Sequence, residues 1–258
     1  MTVAVSLADV SMMFQAAGGN VHALDDISLD IREGEFLSLI GPSGCGKSTL
    51  LRLVGDLLVA TGGTVTVKGK TAQQARLDRD YGMVFQAATL LEWRRVAANV
   101  ELPLEIMGVD QPERTARSAE MLHLVGLDAF SGHYPWQLSG GMQQRVAIAR
   151  ALVFQPSILL MDEPFGALDE MTRERMQMEL LRIQEQTGTT IVFVTHSIPE
   201  AAFLSDRVAV MSRRPGRITE VIDVDLPQPR VFETREDPGF FATVTEVRES
   251  LRAIEEAS

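Results

Sequence analysis

The chain has 258 residues, and 45% of them are hydrophobic, so it can bury a substantial core as one large domain or two small ones. Its 35 acidic residues outnumber 24 lysines and arginines, and the net charge of −11 argues against nucleic acid as the main partner. The single cysteine, Cys45, excludes an internal disulfide and is typical of a reducing compartment, with the cytoplasm as the default. No apolar run approaches the ~20 residues of a membrane helix, so we expect a protein partner to hold the chain at any membrane.

Apolar periodicity predicts an α/β core. Alternation at 3–7 and at 27–31 predicts two half-exposed, antiparallel strands. A continuous apolar run at 36–40 predicts a strand buried on both faces, and the spacing at 47–58 predicts a helix after it. A further helix is predicted at 170–186, and further buried strands at 83–85, 158–161, 191–194 and 208–211. The alternation of predicted strands with predicted helices along the chain indicates a mainly parallel sheet with helices on both faces.

Two parts of the chain depart from this pattern. Residues at about 87–157 show only helical patterns, including a helix at 112–125 with Asp110 as its N-cap, which predicts an all-helical insertion. After residue 224 the composition changes to a proline-containing linker followed by an amphipathic helix. We therefore expect one domain over 1–224 and a linker with a helical tail over 225–258, too short for a separate regulatory domain.

A glycine-rich segment after the strand at 36–40 fits the phosphate-loop pattern G-x-x-x-x-G-K-S/T. Its glycines let successive backbone N–H groups converge on a phosphate, and the helix start adds positive potential. We expect Lys47 to reach the β- and γ-phosphates of a nucleotide and Ser48 to bind Mg²⁺. The strand and helix on either side disfavour the alternative of a turn without a ligand. The predicted nucleotide-binding residues are Gly41, Pro42, Ser43, Gly44, Cys45, Gly46, Lys47, Ser48 and Thr49.

Two carboxylates and a histidine follow predicted buried strands, at the edge where open α/β sheets bind ligands. Asp162 suits the coordination sphere of Mg²⁺, and Glu163 is placed to orient or deprotonate the water that attacks the γ-phosphate. His196 ends the strand at 191–194, from which it can hydrogen-bond the γ-phosphate. Taken alone, the acidic pair fits a solvated turn and the histidine fits a structural role. The phosphate loop upstream favours the functional interpretation.

The segment at 138–145 has the features of a second anion site. Ser139 can cap a helix, and Gly140 and Gly141 follow without side chains. Yet a chain with one nucleotide pocket does not need two phosphate-binding helix starts. The segment is therefore either a plain turn and cap or a contact for the nucleotide of another copy.

Six elements in order make the chain resemble an ABC-transporter ATPase subunit over residues 3–224. They are the phosphate loop, Gln86, the segment at 138–145, Asp162-Glu163, the segment at 166–169 and His196. The resemblance implies a P-loop NTPase core of the ABC ATPase type, with an N-terminal antiparallel β subdomain and an inserted α-helical subdomain. It also implies hydrolysis of ATP with Mg²⁺ by a homodimer that sandwiches two nucleotides.

The resemblance implies roles for residues at matching positions. Gln86 would join the Mg²⁺ and water network and sense the permease, and His196 would contact the γ-phosphate. Asp169 would lie across the dimer contact. The residues that would contact the nucleotide of the opposite subunit are Ser139, Gly140 and Gly141.

The family also has an aromatic residue that stacks on adenine, and Phe14 is the best match in this chain. It follows the first strand and precedes the loop at Gly18 and Gly19. The alternative is that Phe14 is a core residue, since phenylalanine is most often buried.

Three stretches, at 136–145, 161–169 and 213–218, look like the nitrate, sulfonate and taurine importer branch. The branch implies two integral-membrane permease subunits, an indirect periplasmic or extracellular solute-binding protein, and a peripheral position at the cytoplasmic face of the membrane. Nitrate, sulfonates, taurine and pyrimidine-type precursors remain open as solutes. The alternative functions are an export or lipoprotein-extraction ATPase and a non-transport ABC ATPase.

Two residues depart from the expected family pattern. Met142 stands where the broader family usually has Gln, although Met is common in this branch. Glu92 stands where we expect Pro, in the region where the family docks the permease. Glu92 either tunes partner choice or is a solvated surface acid.

Overall fold

Two β-sheets carry the fold, which the structure, a computed structural model, describes over residues 2–15 and 19–256. The strands are β1 (Val3–Phe14), β2 (Val21–Arg32), β3 (Phe36–Ile40), β4 (Gly62–Val67), β5 (Lys70–Thr71), β6 (Tyr81–Val84), β7 (Ile158–Asp162), β8 (Thr190–Val194), β9 (Arg207–Met211) and β10 (Ile218–Asp223). The helices are α1 (Lys47–Val54), α2 (Ala72–Asp78), α3 (Val96–Ile106), α4 (Gln111–Leu124), α5 (Gly140–Leu152), α6 (Glu170–Thr187), α7 (Ile198–Leu204) and α8 (Pro238–Glu256).

The smaller sheet is antiparallel and has the order β2-β1-β4-β5. The alternation seen in the sequence places one set of β2 side chains, Ile27, Leu29 and Ile31, in the interior. They belong to a hydrophobic cluster that also contains Leu37 and Leu39 of β3 and apolar residues of α1. The predicted N-terminal antiparallel subdomain is therefore confirmed, and it packs directly against the first helix after the phosphate loop.

The larger sheet has the order β10-β9-β3-β8-β7-β6, and its pairs are parallel except β10 with β9. Strands β3, β7 and β8 are buried along their whole length. Their side chains divide between two hydrophobic clusters, as expected for a sheet covered on both faces. Parallel strands end at the same edge, so the residues that follow β3, β6, β7 and β8 meet there. The mainly parallel sheet is confirmed, and its edge positions the site.

Between β6 and β7 the chain forms α3, α4 and α5, so the predicted helical insertion is confirmed. Asp110 caps α4 by accepting the Glu113 N–H at 3.0 Å. Apolar residues of α3, including Val96 and Val100, join the hydrophobic cluster on one face of the larger sheet. The insertion is thus anchored to the core beside the edge that carries the site.

The elements without a specific prediction include β4, β5, α2, α7 and β10. Strand β4 begins with two glycines, and a Cβ at Gly63 would lie 2.3 Å from the Asp9 carbonyl oxygen. The position of β4 therefore depends on close backbone approach, which leaves no apolar pattern in the sequence. Strand β10 lies at the edge of its sheet, and its buried and exposed residues do not alternate regularly. The helix predicted at 47–58 ends at Val54 because Gly55 follows, and glycine disfavours helix continuation.

The residues after 224 pack on the core. Helix α8 places Phe240, Val244 and Val247 in the same hydrophobic cluster as α7. Arg230 is 4% exposed and donates to the Phe203 carbonyl oxygen at 2.8 Å. Helix α8 has an apolar stripe only, and no helix in the described ranges is long and apolar enough to cross a bilayer. The division of the chain at residue 224 stays a prediction.

Candidate nucleotide-binding site

The phosphate loop joins β3 to α1, and its path requires glycine. Gly44 and Gly46 have φ angles of 73° and 112°, in the left-handed region that favours glycine. A Cβ at Gly46 would lie 2.6 Å from Leu24 Cδ2 and 3.1 Å from the Ala23 carbonyl oxygen. The missing side chain therefore lets the loop lie directly against β2, and α1 begins at the next residue, Lys47.

Lys47 lies inside the curve of the loop. Its Nζ donates to the carbonyl oxygens of Gly41 at 2.7 Å and Pro42 at 3.1 Å, and the residue is 7% exposed. Both acceptors are neutral, so this buried ammonium has room for the charge of an anionic ligand. Cys45 is 1% exposed with its Sγ 3.8 Å from Nζ, which favours a small packed residue in a tight turn.

Ser48 and Asp162 meet between α1 and the end of β7. The Ser48 hydroxyl donates to Asp162 Oδ1 at 2.8 Å. Asp162 is 3% exposed; burial raises the pKa of its carboxyl above the ordinary value, and the hydrogen bond from Ser48 opposes that rise. A buried carboxylate of this kind is stabilised by a nearby cation. Two hard oxygen donors beside a phosphate loop fit Mg²⁺, which takes one or two protein ligands together with phosphate oxygens.

Glu163 is held by residues that follow the two neighbouring strands. Its Oε2 accepts from Gln86 Nε2 at 3.2 Å and lies 3.3 Å from His196 Nδ1. Glu163 itself has a φ of 47°, which is uncommon for a residue with a side chain, and its N–H donates to the Val194 carbonyl oxygen at 2.9 Å. The structure thus brings the three predicted catalytic side chains, Gln86, Glu163 and His196, into one contact group.

A cavity of about 520 Å³ opens in front of the phosphate loop. The loop residues that line it are Ser43, Gly44, Gly46, Lys47, Ser48 and Thr49. The remaining loop residues, Gly41, Pro42 and Cys45, do not line the cavity but contact the Lys47 ammonium. The other lining residues are Phe14, Val21, Ala23, Gln86, Glu163 and Arg214. The size of the cavity is in the range of small-molecule and cofactor sites.

The positions of Phe14 and His196 agree only in part with the sequence-based expectations. Phe14 ends β1 and lines the cavity, but it also packs against a hydrophobic cluster, so stacking on adenine stays a prediction. Gly18, used to support that assignment, lies outside the described residues. His196 lines a neighbouring cavity of about 430 Å³ instead, and Glu163 borders both cavities.

The start of α5 is built as a helix cap but lies away from the phosphate loop. Ser139 accepts the Met142 N–H at 3.3 Å. A Cβ at Gly140 would meet nothing within 4 Å, and one at Gly141 would lie 3.1 Å from Leu168 Cδ2. None of Ser139, Gly140 and Gly141 lines the 520 Å³ cavity. Among the residues that the structure describes, this helix start therefore lies outside the nucleotide cavity.

Asp169 lies at the start of α6 and follows Leu168, the residue that approaches Gly141. It caps α6 by accepting the Thr172 N–H at 3.0 Å, and hydrogen bonds from Thr172 lower the pKa of the Asp169 carboxyl. Its side chain is exposed and does not line the nucleotide cavity. The predicted dimer contact of Asp169 stays a prediction.

Sequence reasoning missed two side chains that contact the site. Gln144 is 2% exposed and donates to the Phe85 carbonyl oxygen at 2.9 Å, which ties α5 to the residue before Gln86. A polar residue on a buried helix face is a signal that could have found it. Arg214 donates to the Gly44 carbonyl oxygen at 3.0 Å. Its stretch was recognised only as a feature of the family branch.

Residues 24–166 match the model of the ABC transporter family. The taurine import ATP-binding protein TauB of Rhizobium johnstonii is 49% identical over 250 residues, which cover 95% of this chain and 94% of that protein. The nitrate import ATP-binding protein NrtD of Synechocystis sp. is 43% identical over 257 residues, which cover 97% of this chain and 96% of that protein. The similarity to both proteins extends along nearly their whole length.

A solved structure supports the same assignment. The ATP-binding cassette MJ0796, in a dimeric post-hydrolysis state bound to ADP and Pi, matches with a TM-score of 0.79 and 37% identity. The match covers 85% of this chain and 98% of that one. It confirms the predicted α/β fold with its antiparallel subdomain and helical insertion.

Proposed function

The chain belongs to the ABC transporter family as an ATP-hydrolysing subunit, and from this premise we propose that two copies clamp ATP to drive solute uptake. The pair closes when ATP binds and reopens after hydrolysis. This motion drives two integral-membrane permease subunits. The names of both relatives favour import over export, lipoprotein extraction or a role outside transport.

The observation that carries this proposal is the separation of two parts of the site. The phosphate loop, Gln86 and Glu163 line one cavity, whereas the Ser139 helix start lies outside it and faces open space at Gly140. A capped helix start with two glycines offers free N–H groups and positive potential to an anion. We infer that it contacts the nucleotide held by the other copy. The dimeric state of the MJ0796 cassette supports this arrangement.

We propose that Ser48, Asp162 and Gln86 hold Mg²⁺ together with phosphate oxygens of ATP. The hydrogen bond between Ser48 and Asp162 supports this assignment, as does the position of Gln86 on the same cavity. The ion would neutralise negative charge on the β- and γ-phosphates. Lys47 supplies a further positive charge from within the loop.

Glu163 is proposed to orient the attacking water and to accept its proton as the bond to the γ-phosphorus forms. Gln86 and His196 hold the carboxylate from the residues that follow the two neighbouring strands, which fixes the direction in which Oε2 points. His196 is also placed to donate to the γ-phosphate. Positioned general bases contribute roughly 10²–10⁴-fold to rate, so Glu163 accounts for much of the turnover.

We propose that the permease docks beside the helical insertion. A cavity of about 380 Å³ lies between β6 and α3, and it is lined by Ile106, Met107 and Arg150 among others. Ile106 is 68% exposed and Met107 beside it is 37% exposed, so two adjacent apolar side chains line the mouth of this cavity. Arg150 donates to the carbonyl oxygens of Ala88 and Thr89, both at 2.9 Å. Ala88 and Thr89 follow Gln86 closely in the chain. A permease helix bound in this cavity would therefore change the position of Gln86 in the nucleotide site.

The solute is proposed to be a small compound of the nitrate, sulfonate or taurine type, or a pyrimidine-type precursor. The support comes from the two import relatives named for taurine and nitrate. In this arrangement the solute reaches the permease through a periplasmic or extracellular binding protein. The chain itself would work as a peripheral subunit on the cytoplasmic face of the membrane.

Reconstitution tests the proposed function. The chain is assembled with its permease in vesicles, and ATP hydrolysis is measured with and without solute-loaded binding protein. We expect stimulation by the loaded binding protein and none by DNA or ribosomes. Vesicles carrying Glu163→Gln are the control for hydrolysis by this site. Stimulation by DNA or ribosomes, with no response to the binding protein, would contradict the importer assignment.

A further inference from the structure

The loop between β9 and β10 lies directly on the phosphate loop. A Cβ at Gly216 would be 2.1 Å from the Cys45 carbonyl oxygen, and one at Gly41 would be 2.7 Å from the Met211 carbonyl oxygen. Backbone therefore touches backbone at both ends of this hairpin loop, residues 212–217. Contacts so close leave no space for side chains, so this loop and the phosphate loop form one packed unit.

The hairpin loop is also fixed to β2. The Gly216 N–H donates to the Ala23 carbonyl oxygen at 2.9 Å, and the Asp25 N–H donates to the Gly216 carbonyl oxygen at 3.0 Å. Arg217 forms an ion pair with Asp25. Within the loop, Ser212 Oγ accepts the Arg217 N–H at 2.9 Å. These bonds define where the remaining side chains of the loop project.

Arg214 projects from this fixed loop into the nucleotide cavity. Its Nη2 donates to the Gly44 carbonyl oxygen at 3.0 Å, and the residue lines the 520 Å³ cavity with Lys47 and Glu163. Lys47 and Arg214 are the two cationic residues among those that line the cavity in the described part of the chain. Within the same described ranges, no carboxylate lies within ion-pair distance of Arg214, unlike Arg217.

We propose that Arg214 contacts the phosphate groups of ATP, as a second cation opposite Lys47. A guanidinium has five N–H donors in a planar fork, and the bond to Gly44 uses only one direction of that fork. The others are free to bind phosphate oxygens. In a chain with a net charge of −11, an unpaired arginine at the cavity also reduces the repulsion that an anionic nucleotide meets. The inference rests on ATP being bound at this phosphate loop, as the proposed function requires.

Charge contact and loop bracing make different predictions. If Arg214 only braces Gly44, its removal loosens the phosphate loop and weakens ATP binding to the same degree at every ionic strength. If its charge faces phosphate, the loss is largest at low salt and shrinks as salt screens the interaction. Lysine keeps the charge but loses the fork geometry, so it separates the two roles further.

The experiment compares Arg214→Gln, Arg214→Lys and Arg213→Gln by titration with MgATP at low and high salt. Arg213→Gln is the matched control, because it removes the same charge from the adjacent exposed residue, which does not line the cavity. We expect Arg214→Gln to raise the dissociation constant roughly tenfold at low salt, the size expected for one charge-assisted hydrogen bond. We expect the dissociation constant of Arg214→Lys to lie between those of the wild type and Arg214→Gln, and that of Arg213→Gln to match the wild type. The melting temperatures of all these proteins without nucleotide should agree.

Two results would overturn the inference. One is an Arg214→Gln affinity within about twofold of Arg213→Gln at low salt, a difference too small for a charge-assisted bond. The other is a loss that persists undiminished at high salt, which leaves Arg214 as a brace. If the wild type itself fails to bind MgATP, the proposed function fails instead. The wild-type titration therefore separates the two claims.

Discussion

The phosphate loop and the start of α5 are both helix N-termini preceded or opened by glycines, yet their surroundings differ. Around the phosphate loop, α1, β7 and the β9–β10 hairpin loop contribute Lys47, Asp162 and Arg214, respectively, to one site. The start of α5 has an N-cap, Ser139, and open space at Gly140. A helix start alone offers positive potential. Only the first is surrounded by the other groups of a nucleotide site.

This difference shows what each region lacks. The phosphate loop can bind a nucleotide within one chain, but its cavity is open on one side. The α5 start offers positive potential, but within the described residues it lies outside that cavity. Two copies related by a two-fold axis would bring each open cavity against the other copy's helix start and form a closed pair.

The largest expected effect separates binding from turnover. Glu163→Gln removes the proton acceptor but keeps a side chain that can hydrogen-bond Gln86, so ATP binding should be preserved. We expect turnover to fall by roughly 10²–10⁴-fold, the contribution of a general base. Steady-state hydrolysis and gel filtration with ATP measure both properties, and the closed dimer should accumulate.

Glu92→Gln is the control for Glu163→Gln, since it makes the same change on an exposed acid outside the nucleotide cavity. It should hydrolyse ATP normally in the isolated subunit. A Glu163→Gln variant that also turned over near the wild-type rate would remove Glu163 from its assigned role.

The next effect distinguishes the two regions directly. Ser139→Arg places a large charged side chain at the α5 start and should leave ATP binding by its own phosphate loop intact, while closure of the pair and hydrolysis are lost. Lys47→Ala should instead weaken ATP binding at least roughly tenfold, because a charged hydrogen-bond donor is lost. ATP binding by the monomeric fraction and ATP-dependent dimerisation are the two measurements. Loss of monomer binding in Ser139→Arg would place the segment in its own chain's site.

A smaller effect concerns the adenine ring of ATP. If Phe14 stacks on adenine, Phe14→Ala should weaken ATP binding by about 1–3 kcal/mol, the value for base stacking elsewhere. Phe14→Tyr keeps the ring and should bind ATP as the wild type does. Calorimetric titration of both variants decides the question. Equal affinities for wild type and Phe14→Ala would leave Phe14 as the core residue of the alternative interpretation.

The smallest expected effect is on the way in which the stability of the folded chain depends on pH. Burial raises the pKa of Asp162 in the folded chain. Its contribution to stability is therefore fully present below the ordinary pKa and is lost as pH rises through the folded-state pKa. Asp162→Asn should then gain stability relative to the nucleotide-free wild type as pH rises from acidic to neutral, and MgATP should stabilise only the wild type strongly.

Asp169→Asn gives the opposite sign and serves as the comparison. Hydrogen bonds from Thr172 lower the pKa of Asp169, so its contribution is present above the ordinary pKa and is lost as pH falls through the folded-state pKa. Thermal melting of both variants across acidic to neutral pH tests the pair of signs. A stability difference for Asp162→Asn that does not change with pH would contradict the assigned burial effect.

Much of the site could be predicted because its residues follow strands with strong signals. The apolar runs at 36–40, 158–161 and 191–194 become β3, β7 and β8, and parallel strands bring their ends together. Residues at those ends, including Glu163 and His196, were therefore expected to meet before any distance was known.

The remaining features depend on contacts between distant parts of the chain. Arg214 reaches Gly44 across 170 positions, through a hairpin loop shaped by backbone packing at Gly216. Such contacts have no periodic signature in the sequence. The position of Ser139 outside the nucleotide cavity likewise depends on the three-dimensional arrangement of the chain. The sequence therefore left both interpretations of the segment at 138–145 open.

The most direct test of the composite site mixes two inactive variants. Lys47→Ala subunits keep a working α5 start, and Ser139→Arg subunits keep a working phosphate loop, so a mixed pair has one intact site. Random pairing would give up to roughly a quarter of the wild-type hydrolysis rate, while either variant alone gives almost none. A mixture that hydrolyses ATP no faster than the sum of its two parts would contradict a site shared between copies.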